Sequence, residues 1–447
     1  MASQAAISAP AALGDEAVSR LQGLIRHDTV NPPGNERVLQ TELSADLRAV
    51  GFECELVGAE RDRPNLIARL PGISSGPTLT FLGHVDTVRA DRDEWKHDPW
   101  GGELVDGEVW GRGALDMKGQ VACEVAAAVA LAKGGWRPAK GELLLVITCD
   151  EETGGEIGAH WLCAERPDLV RSDYVVNEGG GASFEYDGHR VYPLCVAEKG
   201  VMRFRITTTG RAGHASQPRV GENALLHLAP LIQRLAEQPP PEPSSEGLQF
   251  LSALEGAPLE PEQVPAALAR LRAESPELVD WLAEPMLGIT VTPTKVSASE
   301  KINVIPSVAQ VTVDCRVPPG MGEDEVRDRI GALLGPGDYG IEFTERIPGN
   351  ASPSESTLRG AIEGWLADVD PGAVLAPMAM TGFSDSNAFR TAFPEATVYG
   401  FFPQRTMGWL ETAPLIHGAD ERIPSEDLAF AAGFFFELAQ RVLGEDS

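Results

Sequence analysis

Three short apolar runs in the first half of the chain each lead to a histidine or a carboxylate, and this pattern narrows the fold more than any other feature. Thr78 to Leu82 leads into Gly83-His84-Val85-Asp86. Glu142 to Thr148 leads into Asp150-Glu151-Glu152, and Tyr174-Val175-Val176 into Asn177-Glu178-Gly179-Gly180. Short apolar runs of this kind read as strands. Between the first two lies a small-residue stretch with helical character, Gln120 to Ala132. Strands alternating with helices at this spacing predict an α/β layer with a largely parallel sheet. In open sheets of that kind ligands bind beyond the carboxyl ends of the strands. His84, Glu151, Glu152 and Glu178 all fall at that edge.

The chain has 447 residues, too many for one ordinary core, so two domains are expected. Residues 15–50 carry helical periodicity around a loop, Asn31-Pro32-Pro33-Gly34-Asn35. From about Lys199 the pattern changes. Val201 to Thr208 and Val308 to Val317 alternate, Ala224 to Leu235 and Glu323 to Leu334 read as helices, and Gly340 to Thr344 as a strand. That β-α-β…β-α-β order predicts a small two-layer α+β domain inserted into the first. An insertion over 238–288 interrupts it, beginning Pro239-Pro240-Pro241, with Pro265 to Leu282 expected to be helical. After 346 the α/β pattern resumes and ends in the apolar helix Leu428 to Leu443. The expected division is 1–197 and 346–447 as a catalytic domain in two parts, with 198–345 inserted.

The formal net charge is −29, and no Lys/Arg-rich run offsets it. Such a surface repels phosphate backbones, so nucleic acid is excluded as a partner. No run of about 18 apolar residues occurs, so no membrane span is expected. Met1 to Asp15 is Ala-rich, without the basic start and apolar core of a signal peptide. The six cysteines are scattered without C-x-x-C spacing, which fits free thiols in a reducing, cytoplasmic setting.

Each candidate motif has an ordinary reading beside the chemical one. His84 and Asp86, two apart in extended chain, face one way. Asp86 could orient a ligating imidazole through its second nitrogen, or the pair could be a turn. In Gly111-Arg112-Gly113-Ala114-Leu115-Asp116, glycines permit the tight path that would bring a carboxylate between two ions, or Asp116 caps the following helix. Asp150-Glu151-Glu152 is either a solvated acidic helix start or a pair of carboxylates with divided duties. His417-Gly418-Ala419-Asp420 is a capped turn or a further imidazole. Taken in order, the five stretches supply two imidazoles and several carboxylates, a set suited to Zn²⁺ or Mn²⁺ and to metal-assisted hydrolysis.

From about residue 15 to 445, through all five motifs in order, the chain resembles the co-catalytic dizinc amidohydrolase family of aminoacylase, acetylornithine deacetylase, succinyl-diaminopimelate desuccinylase and glutamate carboxypeptidase. Asn177-Glu178-Gly179-Gly180, the 238–288 insertion and His417-Gly418-Ala419-Asp420-Glu421-Arg422-Ile423 are most similar to the Gly-X carboxypeptidase and N-fatty-acyl-amino-acid hydrolase branch. The resemblance implies a mixed, largely parallel sheet sandwiched by helices, with an inserted ferredoxin-like lid or dimerisation domain. It implies His84, Asp116 and Glu178 around one ion and Asp116, Glu152 and His417 around the other, zinc first, with manganese or cobalt as alternatives. Glu151 would be the general base, Asp86 the orienting acid, and His214 of Gly213-His214-Ala215-Ser216 an oxyanion stabiliser. In dimeric relatives that histidine serves the partner subunit, so a homodimer is open here.

Asn303, Arg316 and Gly382 match substrate-contacting or pocket-lining positions. Many relatives carry T-D-x-R where this chain has Ser384-Asp385-Ser386-Asn387; either carboxylate recognition falls to Arg316 or to Arg390, one turn on, or the substrate differs. The implied reaction cleaves an amide next to a carboxylate-bearing amino acid, in an N-acyl-amino acid or a short peptide. A dipeptidase or carboxypeptidase is the alternative; a di-zinc aminopeptidase and a non-catalytic metal-binding homologue stand further off. The links near 198 and 346 would form a hinge that closes the lid.

Overall fold

A computed structural model describes residues 6–239 and 243–445. The first five residues of the Ala-rich start and 240–242 of the proline-rich run lie outside the described residues. The chain divides into two compact units, one made of Met1–Val196, Ser352–Pro377 and Ser384–Ser447, the other of Ala197–Ala351 and Met378–Phe383.

The sheet of the first unit takes strands β1 (Glu53–Glu60), β2 (Arg63–Pro71), β3 (Thr78–His84), β4 (Glu142–Thr148), β5 (Tyr174–Asn177), β6 (His189–Glu198) and β7 (Thr397–Gly400) in the order β1-β2-β4-β3-β5-β7-β6. Its centre is parallel: β3 pairs with β4 and β5, and β5 with β7. The flanks are antiparallel. The mixed, largely parallel sheet expected from the spacing of apolar runs is therefore present.

Both faces of this centre are covered, which is why β4 reads as an unbroken apolar run rather than an alternating one. Ile67, Leu82, Leu144, Val146, Val175 and Val398 pack with Leu162 and Phe389 on one face. On the other lie α1 (Leu13–Ile25), α2 (Lys118–Lys133) and α3 (Ser425–Leu443), which contact one another. α2 is apolar or small on nearly every side and almost wholly buried, as a central helix must be. Phe81 of β3 meets Phe435 of α3 edge-on at 4.9 Å. The parallel register brings the ends of β3 and β4 level, with His84 opposite Thr148. The loops that follow them therefore leave from one edge.

In the second unit Phe204–Thr209, Thr290–Ser297, Val308–Val317 and Gly340–Phe343 form an antiparallel sheet, with helices Ala224–Leu235 and Glu323–Leu334 on it. Phe204, Ile206, Leu228, Val311, Val313 and Ile330 fill the layer between. Alternation in Val308–Val317 is strict, every second residue being buried, because only one face of this sheet is covered. The helix expected over Pro265 to Leu282 is broken. Val264–Glu274 ends at Ser275, where Pro276 can neither donate to the preceding turn nor leave its predecessor helical, and Ser275 caps the next short turn. Among the described residues no helix is long and apolar enough to cross a membrane, and all six cysteines are free thiols, five of them buried.

Candidate metal centre

His84 is the last residue of β3 and only 1% exposed. Its Nδ1 lies 3.0 Å from the backbone carbonyl of Asp86. A carbonyl only accepts, so Nδ1 carries the proton and Nε2 turns to the site. That Nε2 is 3.1 Å from Asp116 Oδ1, 3.7 Å from Glu178 Oε1 and 3.8 Å from Glu151 Oε2. The other oxygen of Asp116 faces a second imidazole: His417 Nε2 is 3.1 Å from Asp116 Oδ2 and 3.1 Å from Glu152 Oε2. One carboxylate thus stands between two imidazoles and offers an oxygen to each.

The Asp150-Glu151-Glu152 turn is held from beneath. Asp86 is fully buried and accepts from the backbone N–H of Glu151 and of Glu152, both at 3.2 Å, and from Asn31 Nδ2 at 2.9 Å. Asp150 sits at φ 74°, a left-handed conformation that costs a non-glycine residue energy. Its carboxylate accepts from Arg63 Nη1, Asn31 Nδ2, Thr153 Oγ1 and the N–H of Ile157. Asp385, also buried, accepts from Thr148 Oγ1 at 2.6 Å, just before this turn. Asn177 donates to Ser384 and Ser386, tying the Glu178 loop to the Ser384–Asn387 segment.

So much carboxylate in a buried space shifts the groups around Asp116. Burial pushes the Glu151 carboxyl well above the glutamate range, with Glu178, Asp385 and Asp116 adding to it and His84 opposing. Burial pushes Glu178 well above that range too, and raises Glu152 against the opposing bond from His417. For His84, burial opposes the charged form but its bonds to Asp116 and Asp86 hold it protonated well above the ordinary range. The bonds of His417 to Asp116 and Glu152 bring it up to about 10. Burial would raise Asp116, yet its two imidazole partners hold it well below the usual carboxylate range. A field that keeps two imidazoles protonated favours cations, and the donor set, two imidazole nitrogens plus carboxylate oxygens, fits borderline divalent ions. Two overlapping groups, His84-Glu151-Glu178 and His84-Asp116-Glu152, have donor atoms within 4.8 Å of one another. Distance alone therefore does not separate Glu151 from the ligands.

The structure brings His84, Asp86, Asp116, Glu151, Glu152, Glu178 and His417 together. Arg390 has other duties. It is 5% exposed, and its Nε and Nη2 donate to the Val398 carbonyl at 3.2 and 2.9 Å. Its guanidinium braces β7, which corrects the expectation of a fork held out to a substrate carboxylate. Asn387 is equally buried.

His214, Asn303, Arg316 and Gly382 belong to the second unit. His214 is exposed, its Nδ1 2.7 Å from Ser216 Oγ, and the Asn303 carbonyl accepts from the N–H of Ala215 next to it. Arg316 pairs with Asp314 at 2.8 Å. A Cβ at Gly382 would meet nothing nearer than the Met380 side chain at 3.8 Å, so packing does not require glycine there. Asn31, Asp150, Arg63 and Glu421 carry no motif signal that marks their roles in the sequence. Asn31 stood in view within the proline-glycine loop, but its partners lie 55 to 122 residues away.

A doubly covered parallel sheet with two imidazoles sharing one carboxylate at its edge defines a dinuclear metallohydrolase framework. Comparison with known proteins agrees. The chain belongs to peptidase family M20/M25/M40, whose family model matches residues 80–441. It is 34% identical over 231 residues to a succinyl-diaminopimelate desuccinylase of Methylobacterium radiotolerans, a match spanning 50% of this chain and 57% of that protein. It is 25% identical over 385 residues to a probable carboxypeptidase S-like 2 of Dictyostelium discoideum, covering 80% of this chain and 70% of the relative. In fold it is similar to the M20 family metallo-carboxypeptidase Sso-CP2 of Sulfolobus solfataricus, with a TM-score of 0.68 and 16% identity over 96% of this chain and 99% of the other.

Proposed function

We propose that this chain hydrolyses an amide bond adjacent to a carboxylate-bearing amino acid, in an N-acyl-amino acid or a short peptide. The observation that carries the reading is Asp116 between the two imidazoles, with Glu151 at hand. His84, Asp116 and Glu178 would hold one divalent ion and Asp116, Glu152 and His417 the other, zinc first. Bound there, two such ions supply Lewis acidity towards a carbonyl and a water.

The chain's own residues handle the proton. Burial and neighbouring acids give Glu151 a carboxylate with raised proton affinity, suited to taking a proton from the attacking water and handing it to the leaving nitrogen. The Asp86 bonds to the Glu151 and Glu152 N–H groups keep that turn in place. We assign His214 to the developing oxyanion, and Asn303, Arg316 and Gly382 to substrate contacts.

The relatives named above include both a desuccinylase and a carboxypeptidase-like protein, so within that proposal an acylase is the first reading and a dipeptidase or carboxypeptidase the second. The test is one assay. Metal-supplemented enzyme is incubated with a panel of N-acyl-amino acids and dipeptides, and products are read by mass spectrometry. Turnover of the acyl compounds alone supports the first reading, and of dipeptides alone the second. No turnover of either panel sinks both. A homodimer is also proposed, supported by apolar side chains left exposed in the second unit, Ile302, Leu226, Val296 and Val308 among them. Light scattering that gives a monomer mass removes it.

A further inference from the structure

Glu421 lies four residues beyond His417 and is 0% exposed, yet no ligand or proton-transfer role falls to it. Its carboxylate is saturated by donors from a loop more than three hundred residues away. Oε2 accepts from Arg112 Nη1 at 2.7 Å and from the N–H of Gly113 at 3.1 Å. Oε1 accepts from the N–H of Leu115 at 2.7 Å and of Asp116 itself at 3.1 Å. Arg112 closes the circuit by giving Nη2 to the carbonyl of Gly418 at 2.7 Å, next to His417. The Gly111 N–H adds a bond to the Glu421 carbonyl at 3.0 Å.

From these contacts we infer that the Glu421–Arg112 pair is a positioning clamp that sets Asp116 and His417 in register for their shared ion. This rests on the two-ion reading proposed above.

The physical case has three parts. The Gly111–Asp116 loop is buried and largely outside the sheet, so three of its N–H groups would lose their acceptors without Glu421, and a buried donor left without one carries its full desolvation penalty. A buried ion pair is in itself poor evidence of stability, since apolar residues of similar volume often serve as well. What the carboxylate contributes is direction, because Oε1 fixes the peptides on either side of Leu115, and hence the start of the Asp116 side chain, while Oε2 holds Gly113 and Arg112. The His417 turn needs support too. His417 and Asp420 both sit at φ 60°, a conformation that persists in non-glycine residues only where surroundings over-determine it. The Arg112 bond to Gly418 and the Asp420 bond from the Lys96 N–H, at 2.8 Å, do so.

The test is metal titration of the metal-free full chain by calorimetry with Zn²⁺, comparing wild type with E421Q, whose amide turns a donor towards donors. The clamp predicts that E421Q keeps one tight ion and binds the second roughly 10–100-fold more weakly, the usual cost of losing a group that orients a ligand. Excess metal should then restore turnover. Two ions bound with wild-type affinity, even alongside a lower Tm, overturn the clamp and leave Glu421 a packing residue. If E421Q does not fold, R112K reports instead. Lysine replaces the fork of two nitrogens, one on Glu421 and one on Gly418, by a single ammonium without that geometry, so the clamp predicts that the second ion also weakens, and unchanged affinity again overturns the proposal. A wild type that binds a single ion refutes the two-ion reading separately. The clamp is then read from that ion's affinity, which E421Q must still reduce.

Discussion

Replacing Glu151 by glutamine separates base from ligand, which distances do not. The side chain is 10% exposed, and its Oε2 is 3.8 Å from His84 Nε2. The backbone bond from Glu151 N–H to Asp86 does not involve the side chain, so the isosteric amide leaves the turn in place. The change also removes one acid from a site where Glu178, Asp385 and Asp116 already push its proton affinity up. The metal-free variant should therefore melt at or above the wild-type temperature. Activity behaves oppositely. A positioned general base contributes about 10²–10⁴ in rate, which is about 2.7–5.4 kcal/mol of barrier at 1.36 kcal/mol per decade. The assay is kcat and KM on whichever panel compound turns over, with metal content measured on the same sample. We expect two ions, a KM within a few-fold of wild type, and kcat down at least a hundredfold. A kcat within tenfold of wild type with both ions present would refute the base assignment. Loss of an ion would make Glu151 a ligand.

Three further outcomes follow from the geometry. R390M should lower Tm, because the Val398 carbonyl loses buried donors worth about 1–3 kcal/mol, while KM stays put; a large rise in KM with Tm unchanged would return Arg390 to substrate recognition. D150A removes the acceptor for Arg63, Asn31, Thr153 and Ile157 and leaves alanine at φ 74°. Arg63 keeps its pair with Glu36 at 2.7 Å, so the cost comes from the buried donors of Asn31, Thr153 and Ile157 left without that acceptor, about 1–3 kcal/mol, read by denaturant unfolding, and a loss below about 1 kcal/mol contradicts the network. Metal binding should release protons. His417, near 10, carries at pH 8 an extra proton that a metal must displace, and His84, raised by its carboxylate partners, holds its own beyond the ordinary imidazole range. Apparent affinity therefore rises with pH across the neutral range, and titrations in two buffers of different ionisation enthalpy give the number released. A pH-independent affinity with no release would contradict the field described here.

The family and the mixed sheet were legible in the chain because both are written in local signals. Apolar runs of strand length are visible one at a time, and the residues at their ends are of types with few structural uses at a buried edge. The second unit's sheet announced itself through alternation, as in Val308–Val317, where a single face is covered. What stayed hidden depends on partners far along the chain. Glu421 looks like one more surface acid until the loop carrying Arg112 folds over it. The spacing of Arg390 from Asn387 suggests a substrate contact, while in the fold its buried guanidinium donates to the Val398 carbonyl. Pro265 to Leu282 misled for a local reason, since helical periodicity continues through Pro276 while the backbone does not.

The central claim is that Asp116 would hold two ions, one with His84 and the other with His417. A crystal structure of the metal-loaded protein, with anomalous data at the metal edge, tests it most directly. The account predicts two anomalous peaks per chain, each in contact with a different oxygen of Asp116, one beside His84 and the other beside His417. One peak, or two that do not share Asp116, would contradict it.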